Sequence, residues 1–276
     1  MAEYTEIPAE TVPLPASGPS QIHASRRHLT PYRDQTTFSE YLESLLVTVI
    51  LALFGTSFVV QAFKIPSASM ESTLLIGDHL LVNKFIFGGN GAWYEKILPY
   101  RAIKRGDIIV FKYPFLDHPH YVKRVIGLPG DHLKLVDQQV YINGVALDEP
   151  YVLHDATVPY DPFNYSFPPL RDHMIPLNVL NEWRPELRKY VQGDEMVVPP
   201  GKYFAMGDNR DHSQDSRYWG FVDREAIMGH PFLIYWSVDT TYAGDTTFWQ
   251  RLVGIFDTLT HLPARTRWHR MFHTVH

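Results

Sequence analysis

Hydrophobic residues along this chain form one long continuous run and several short runs that alternate with polar residues. The long run extends from Leu45 to Phe63 and contains no charged residue. A helix of this length would measure about 28 Å, close to the ~30 Å hydrocarbon core of a bilayer. A buried core helix would show a polar face, which this run lacks. The pattern therefore predicts one transmembrane helix, and we place the anchor at residues 41–63.

The charges beside this run predict its orientation. Arg26, Arg27 and Arg33 precede it, whereas Lys64 is the nearby basic residue that follows it. Because basic residues favour the cytoplasmic side, we expect a cytoplasmic N-terminus and an extracytoplasmic main domain in the cell (inner) membrane. Residues 1–40 are rich in proline, serine and threonine without any period, so we expect a disordered cytoplasmic tail.

Short runs typical of β-strands follow the apolar run. They read "DHLLVNKF", "GDIIVFKY", "HYVKRVIG", "DHLKLVD", "QVYING", "KYFAMGD" and "HPFLIYWS", each bounded by turn-forming residues. The stretch "HLKLVDQQVYING" predicts a hairpin. No long amphipathic helix interrupts these runs, so we predict a mainly β, antiparallel domain over residues 64–240. Residues 150–200 are rich in proline and aperiodic, and we interpret them as an insertion within that domain.

Residues 241–276 have a different pattern. Apolar residues recur at helical spacing from Thr247 to Thr260, which predicts an amphipathic helix ended by Pro263. A basic, aromatic tail follows, with Arg265, Arg267, Trp268 and Arg270. Two interpretations stay open for this segment: the helix packs on the β core, or helix and tail lie on the membrane surface with the arginines near anionic lipid.

The composition of the chain excludes several kinds of functional site. The net charge of −5 gives no sign of a nucleic-acid partner, and the absence of cysteine excludes disulfides and thiolate metal sites. None of the 14 histidines stands in a motif of the G-x-S-x-G type. The pair His118 and His120 lacks a third ligand nearby in the sequence, so we expect no metal and no cofactor.

Two serines stand directly after the apolar run, in the stretch "IPSASME". A serine hydroxyl becomes a nucleophile only when a base takes its proton, and a neutral lysine can be that base. Such a lysine needs an apolar environment that lowers its pKa. Lys123 in "HYVKRVIG" meets this need, but Lys112 in "VFKYP" and Lys84 in "LVNKF" are rivals, and the pattern alone does not choose among them.

Three segments together resemble signal peptidase I, a membrane-anchored serine protease family that removes signal peptides from exported proteins. They are "IPSASMESTLLIGDHLLVNKFIFG", then "RGDIIVFKYP" with "YVKRVIGLPGD", and "MGDNRDHSQDSRYWGFV", in the family's order after a membrane span. The resemblance implies that Ser69 is the nucleophile and Lys123 the general base. It also implies that the hydroxyl of Ser67 and the backbone N–H of Ser69 form the oxyanion hole.

The resemblance implies further roles. Ser213 would hydrogen-bond and orient the catalytic lysine, Asp215 and Arg217 would form a buried ion pair, and a side chain at Gly207 would crowd the lysine. Apolar pockets for small side chains before the cleavage site would be lined by Phe63, Ile65, Met70, Leu74, Tyr121 and Val122. Two positions depart from the common pattern: Ala68 replaces a frequent glycine, and Ser72 replaces a usual proline, which we expect to loosen the following turn slightly.

The function expected from these observations is endoproteolytic removal of signal peptides after an A-x-A-like site. The expected partners are signal-peptide-bearing preproteins, the lipid bilayer and, transiently, the secretion translocon, with no nucleic acid. One alternative is a catalytically inactive, membrane-tethered β-domain that only binds partners, and this would be expected to lack Ser69 or Lys123. A self-cleaving repressor-type protease would carry a DNA-binding helix-turn-helix instead of the membrane span.

Overall fold

The structure is a computed structural model that describes residues 38–55, 60–87, 100–113, 120–171, 174–239 and 264–275. By its contacts the chain divides into a unit that ends at Leu46 and a unit from Val47 to His276. The helices in the described ranges are α1 (Phe38–Phe54), α2 (Pro162–Tyr165), α3 (Trp183–Leu187) and α4 (Ser216–Trp219). Short 3₁₀ turns lie at Ala68–Met70, Arg188–Tyr190, Arg210–His212, Arg224–Ala226 and Trp268–Arg270.

Fourteen strands in the described ranges build two antiparallel sheets, so the protein is mainly β. The strands are β1 (Val60–Lys64), β2 (Asp78–Asn83), β3 (Ile108–Phe111), β4 (Tyr121–Gly127), β5 (His132–Val136), β6 (Gln139–Ile142), β7 (Val145–Ala146), β8 (Ser166–Phe167), β9 (Val191–Gln192), β10 (Glu195–Val197), β11 (Lys202–Met206), β12 (Val222–Asp223), β13 (Ile227–Ser237) and β14 (His273–Thr274). One sheet has the order β1-β2-β13-β3-β4-β11-β12, with β14 beside β13. The other has the order β7-β6-β5-β10-β9, with β8 beside β5.

Each of the seven runs predicted from alternation contains a strand. The predicted hairpin is also confirmed, because β5 and β6 pair from Val136 opposite Gln139. Its two turn residues, Asp137 and Gln138, both have positive φ, at 49° and 67°. Positive φ at both central residues is the requirement of a type I′ turn, whose twist matches that of the flanking strands.

The segment predicted as an insertion supplies part of the second sheet. Residues 150–200 contain β8, β9 and β10, and both β8 and β10 pair with β5. These strands have only two or three residues each, which is too short to produce a visible alternation. The segment is therefore integrated into the sheet through β5.

Two apolar cores fill the interior. The larger core includes residues of both sheets, such as Ile109, Val125, Leu135 and Phe204. A smaller core lies behind the turn that carries the two serines, and its buried members are Ile65, Met70, Leu74, Leu80, Ile108, Ile234 and Val275. The short turn at residues 68–70 is therefore fixed from behind by packed apolar side chains.

The predicted membrane span is divided between a helix and a strand. Helix α1 covers its beginning, but Val60 to Lys64 form β1 and pair with β2, so the end of the predicted span is a strand. Within the described ranges, no helix is both long enough and apolar enough to cross a bilayer.

The C-terminal tail joins the larger sheet instead of standing apart from it. β14 pairs with β13, and Arg267 and Arg270 contact protein groups on the loop before β2. This differs from the interpretation that placed these arginines near anionic lipid. Trp268 and Phe272 are nevertheless 63% and 71% exposed. The predicted helix from Thr247 to Thr260 lies outside the described residues.

Candidate active site

The nucleophile candidate stands on the short 3₁₀ turn that follows β1. Ser69 is 7% exposed, and the next residue, Met70, anchors the turn in the smaller core. Asn209 holds the backbone of this turn from outside, since its N–H donates to the carbonyl of Ser69 at 3.2 Å and its side-chain amide donates to the carbonyl of Ala68 at 3.3 Å. The hydroxyl of Ser69 therefore projects from a backbone that is held on both sides.

Lys123 lies within β4, opposite Ile109 of β3, and is 2% exposed. Its Nζ donates a hydrogen bond of 2.5 Å to Ser69 Oγ. Burial lowers the pKa of Lys123 from 10.5 to about 8, although the nearby carboxylates of Asp215 and Asp208 act in the opposite direction. Of the two rival lysines, Lys112 is exposed and Lys84 is half-buried. Of the three lysines that the strand pattern left open, Lys123 is the one placed in contact with Ser69.

Ser67 lies beside the nucleophile. Its Oγ is 3.5 Å from Ser69 Oγ, and its side chain is exposed. Although Ser67 occupies the N-cap position of the 3₁₀ turn, its side chain makes no capping hydrogen bond. The hydroxyl therefore faces the same space as the nucleophile without being held by the turn itself.

The loop at residues 207–217 lies directly against the nucleophile turn. A Cβ on Gly207 would lie 2.6 Å from Ser213 Cβ, and it would also overlap Ser213 Oγ and the carbonyl oxygen of Ser69. The atoms nearest to such a side chain thus belong to the two serines, and the crowding of the lysine stays a prediction. Ser213 Oγ is buried and has no hydrogen-bond partner among the described residues, so the expected bond to Lys123 is not made here.

Asp215 and Arg217 form the expected buried ion pair. Arg217 Nε and Nη2 each donate to the carboxylate at 2.8 Å, and both side chains are almost fully buried. Burial alone would raise the pKa of the Asp215 carboxyl, but the charge of Arg217 and the hydrogen bonds from it outweigh burial and hold this pKa below its usual range. Asp215 also accepts the N–H of Gly207 at 3.1 Å, which ties the ion pair to the site.

The structure contains a second buried ion pair, which the sequence analysis did not predict. Arg124, next to Lys123 on β4, donates to both oxygens of Asp208, at 2.9 and 2.8 Å. The hydroxyl of Thr73, four residues after the nucleophile, donates to the same carboxylate at 2.5 Å. The signal available in the sequence was a second charged residue, Arg124, next to Lys123 in a mostly apolar strand. That signal does not indicate the partner of Arg124.

Ser69 and Lys123, which we call the dyad, border a cleft of about 300 Å³. Of the six residues predicted to bind substrate, all but Leu74 line it: Phe63, Ile65, Met70, Tyr121 and Val122. Leu74 is fully buried in the smaller core and can shape the cleft only from behind. A second cavity of about 280 Å³, bordered by Trp183 and Trp219, contains neither dyad residue, so we place the chemistry in the first.

This arrangement can perform serine-based acyl transfer. A hydroxyl in contact with a buried amine of lowered pKa provides an activated nucleophile, and an adjoining apolar cleft can receive an extended chain. Within the described residues, no group of three or more histidine, aspartate or glutamate side chains is placed to hold a metal ion.

Comparisons with known proteins identify the family of this chain. Signal peptidase I of Pseudomonas aeruginosa is 35% identical over 218 residues, which cover 72% of each chain. Signal peptidase I of Aquifex aeolicus is 35% identical over 222 residues, covering 70% of this chain and 82% of its own. A crystal structure of a signal peptidase I from Enterococcus faecalis V583 is 32% identical, covers 47% of this chain and 97% of its own, and has a TM-score of 0.30. The family model for signal peptidase, peptidase S26, matches residues 38–236, and the chain therefore belongs to this family of serine endopeptidases.

Proposed function

We propose that Ser69 is the nucleophile and Lys123 the general base with which this signal peptidase cleaves signal peptides from preproteins. The observation that carries the proposal is the 2.5 Å contact between Lys123 Nζ and Ser69 Oγ in a buried site. With a pKa of about 8, roughly half of the lysine is neutral at pH 8, whereas with the unperturbed value of 10.5 well under 1% would be. The presence of both groups in contact disfavours an inactive binding domain.

The first half of the reaction forms an ester. Neutral Lys123 takes the proton of Ser69 Oγ while that oxygen attacks the scissile carbonyl carbon. The resulting oxyanion accepts hydrogen bonds from the Ser67 hydroxyl and the Ser69 N–H, and each preorganised donor of this kind is worth about 3–4 kcal/mol. When the carbon–nitrogen bond breaks, protonated Lys123 gives its proton to the leaving amine, and the signal peptide remains esterified to Ser69.

The second half of the reaction uses the same lysine. A water molecule loses a proton to Lys123 and attacks the ester, and the serine oxygen leaves with the proton returned by the lysine. Ser213 is proposed to orient the amine during these transfers. Its buried hydroxyl, which has no partner among the described residues, supports this role because a buried polar group without a partner is unusual in a folded protein.

Substrate recognition is proposed to occur by extended pairing in the cleft between β1 and β4. An extended segment can add to exposed strand backbone, with pockets that select alternate side chains. The apolar lining near Ser69, including Ile65, Met70 and Val122, favours small apolar side chains at the first and third positions before the cut. This is the A-x-A pattern of signal peptides.

We also propose that α1 is the described part of a membrane anchor, with the catalytic domain on the extracytoplasmic side. The large apolar side chains along α1, such as Leu45, Ile50 and Leu51, are exposed and thus need an apolar environment. A nucleophile that closely follows such an anchor would lie near the membrane surface, where the cleavage sites of membrane-held signal peptides also lie.

The test uses the full chain in detergent with a model preprotein that carries an A-x-A site. Sequencing of the new N-terminus is expected to identify cleavage directly after that site. We expect Ser69→Ala and Lys123→Met each to abolish cleavage, while Lys112→Met, which changes an exposed lysine directly after β3, retains it. The rate should rise with pH through about 8, where Lys123 loses its proton. An inactive Lys112→Met with an active Lys123→Met would reverse the assignment of the base.

A further inference from the structure

The C-terminal tail makes a set of contacts with the loop between the nucleophile and β2. Arg270 Nη2 donates to Asp78 Oδ2 at 2.6 Å, and its Nε donates to Asp78 Oδ1 at 3.2 Å. The same Nη2 donates to the backbone carbonyl of Thr73 at 2.9 Å. Asp78 is fully buried, and Arg270 is largely buried. A forked contact of this kind fixes both distance and orientation.

The loop that Arg270 holds is part of the active site. The carbonyl of Thr73 accepts from Arg270, while the hydroxyl of Thr73 donates to Asp208. Asp208 is the ion-pair partner of Arg124, the residue next to Lys123 in β4. Contacts therefore run without interruption from the C-terminal tail, through Thr73, to the strand that carries the base.

Two more contacts seat this tail. Arg267 donates to the carbonyl of Ile76 at 2.9 Å, in the same loop. Val275 is buried in the smaller core together with Met70, the neighbour of the nucleophile. Residues 264–275 thus contact the loop that follows the nucleophile turn and share its apolar core, although they lie beyond residues 38–236, the part matched by the family model.

We propose that residues 264–275 are a positioning arm of the catalytic site and that Arg270 is its principal positioning residue. Arg270 holds the loop from Ser69 to Asp78 in the register that aligns Ser69 with Lys123. The inference rests on the proposed roles of these two residues. Arg270 touches neither substrate nor reacting atoms and acts through Thr73 and Asp78.

The test compares Arg270→Ala with a matched control, Arg105→Ala, in the full chain. Arg105 also pairs with a mostly buried carboxylate, Asp131 at 2.9 Å, and donates to a backbone carbonyl, but it does not contact the nucleophile loop. Cleavage of the model preprotein is measured well below both melting temperatures. We expect Arg270→Ala to lower kcat by about tenfold or more with KM within twofold, because small misplacements of reacting groups are costly.

Two further measurements separate positioning from loss of stability. Arg270→Lys should recover part of the lost kcat through one retained contact, and millimolar guanidinium should raise the kcat of Arg270→Ala but not of Arg105→Ala. Equal kcat in the two alanine variants would overturn the proposal, as would a rise in KM alone, which would assign the arm to substrate binding. Ser69→Ala is the blank in every series, and activity in that blank would refute the proposed nucleophile independently of Arg270.

Discussion

At the scale of single residues, Lys123 combines a catalytic requirement with a cost in stability. Its pKa is about 8 in the folded protein and 10.5 without burial, so the unfolded chain binds more protons between these values. The free energy of unfolding therefore rises with pH across this window. Below pH 8 the folded protein carries a charged, buried amine at a cost of about 3 kcal/mol.

Lys123→Met is therefore expected to be inactive but more stable than the unchanged chain at pH 7. Its advantage should shrink as the pH rises from 8 towards 10.5, because the folded protein then loses the buried charge while the lysine of the unfolded chain stays protonated. Urea unfolding of both chains at pH 7 and pH 9.5 measures this difference. Lys112→Met provides the control, since it removes an exposed lysine instead of a buried one. A Lys123→Met variant that is less stable at pH 7 would contradict the assignment of the burial cost.

Ser72 adopts a backbone conformation that proline cannot adopt. The N–H of Thr73 donates to the carbonyl of Met70 at 3.1 Å, and Glu71 and Ser72 between them have φ of −58° and 84°. This is a type II turn, which requires positive φ at its third position, whereas proline is fixed near −65°. The hydroxyl of Ser72 also donates to the carbonyl of Tyr151 at 2.5 Å. The expected loosening by the missing proline is thus replaced by a different, hydrogen-bonded turn.

Ser72→Pro, although it restores the common family residue, is expected to lower both the melting temperature and the rate of cleavage. The loss of unfolding free energy should exceed about 1 kcal/mol, because the native φ is incompatible with the ring. Ser72→Gly should stay close to the unchanged chain, since glycine adopts positive φ freely and this offsets the lost hydrogen bond. Thermal unfolding and preprotein cleavage of the two variants measure these effects. A Ser72→Pro variant that is fully active and equally stable would show that Ser72 does not have positive φ in this turn.

At the scale of elements, alternation predicted the longer strands because β2, β5 and β6 each bury one face and leave the other partly exposed. Strands of two or three residues, such as β8 and β12, contain too few positions for any period. β1 was hidden for another reason: its apolar residues continue the long apolar run, so composition favoured a helix. Pairing with β2 decides the conformation there, and that pairing is not visible in a local pattern.

The candidate site, too, has features that the sequence predicts and features that only tertiary contacts determine. Ser69 and Lys123 were predicted as catalytic residues from the order of three motifs, and the structure places them in contact. The ion pair of Arg124 with Asp208 joins residues 84 positions apart, and no spacing rule in the sequence connects them. The support of the nucleophile by the C-terminal arm is equally nonlocal. The two groups that we propose for the chemistry could thus be predicted from motifs, whereas the contacts that hold them in place depend on tertiary structure.

The segment 150–200 supports the catalytic loop directly. Asn164, at the end of α2, is buried, accepts from Arg217 Nη1 at 2.6 Å and donates to Asp211 at 2.9 Å. Asn164→Ala is expected to leave Arg217 short of one acceptor and to lower the free energy of unfolding by about 1–3 kcal/mol. Cleavage should weaken in parallel because Arg217 holds Asp215. Chemical unfolding measures the first effect, with exposed Asn181→Ala as the control, and an Asn164→Ala variant as stable as that control would argue against this role.

At the scale of the whole molecule, the proposed membrane topology predicts which parts of the chain lie on each side of the membrane. Protease added to intact spheroplasts should digest the chain after Lys64 and spare the segment before α1. A chain without residues 1–59, which retains β1, should still cleave an A-x-A peptide, but more slowly than the full chain cleaves membrane-held preprotein, because the bilayer no longer concentrates enzyme and substrate. Protection of the catalytic domain in spheroplasts would overturn the proposed orientation.

Because residues 264–275 support the nucleophile turn, the order in which the chain is synthesised determines when the site can form. β14 and Val275 complete the sheet and the core beneath the nucleophile turn, yet they leave the ribosome after every other described part of the chain. Contacts between such distant segments form late in folding. A nascent chain would therefore carry Ser69 and Lys123 long before it could align them. The two groups would come into alignment only once residues 264–275 have been synthesised and have packed beneath the nucleophile turn.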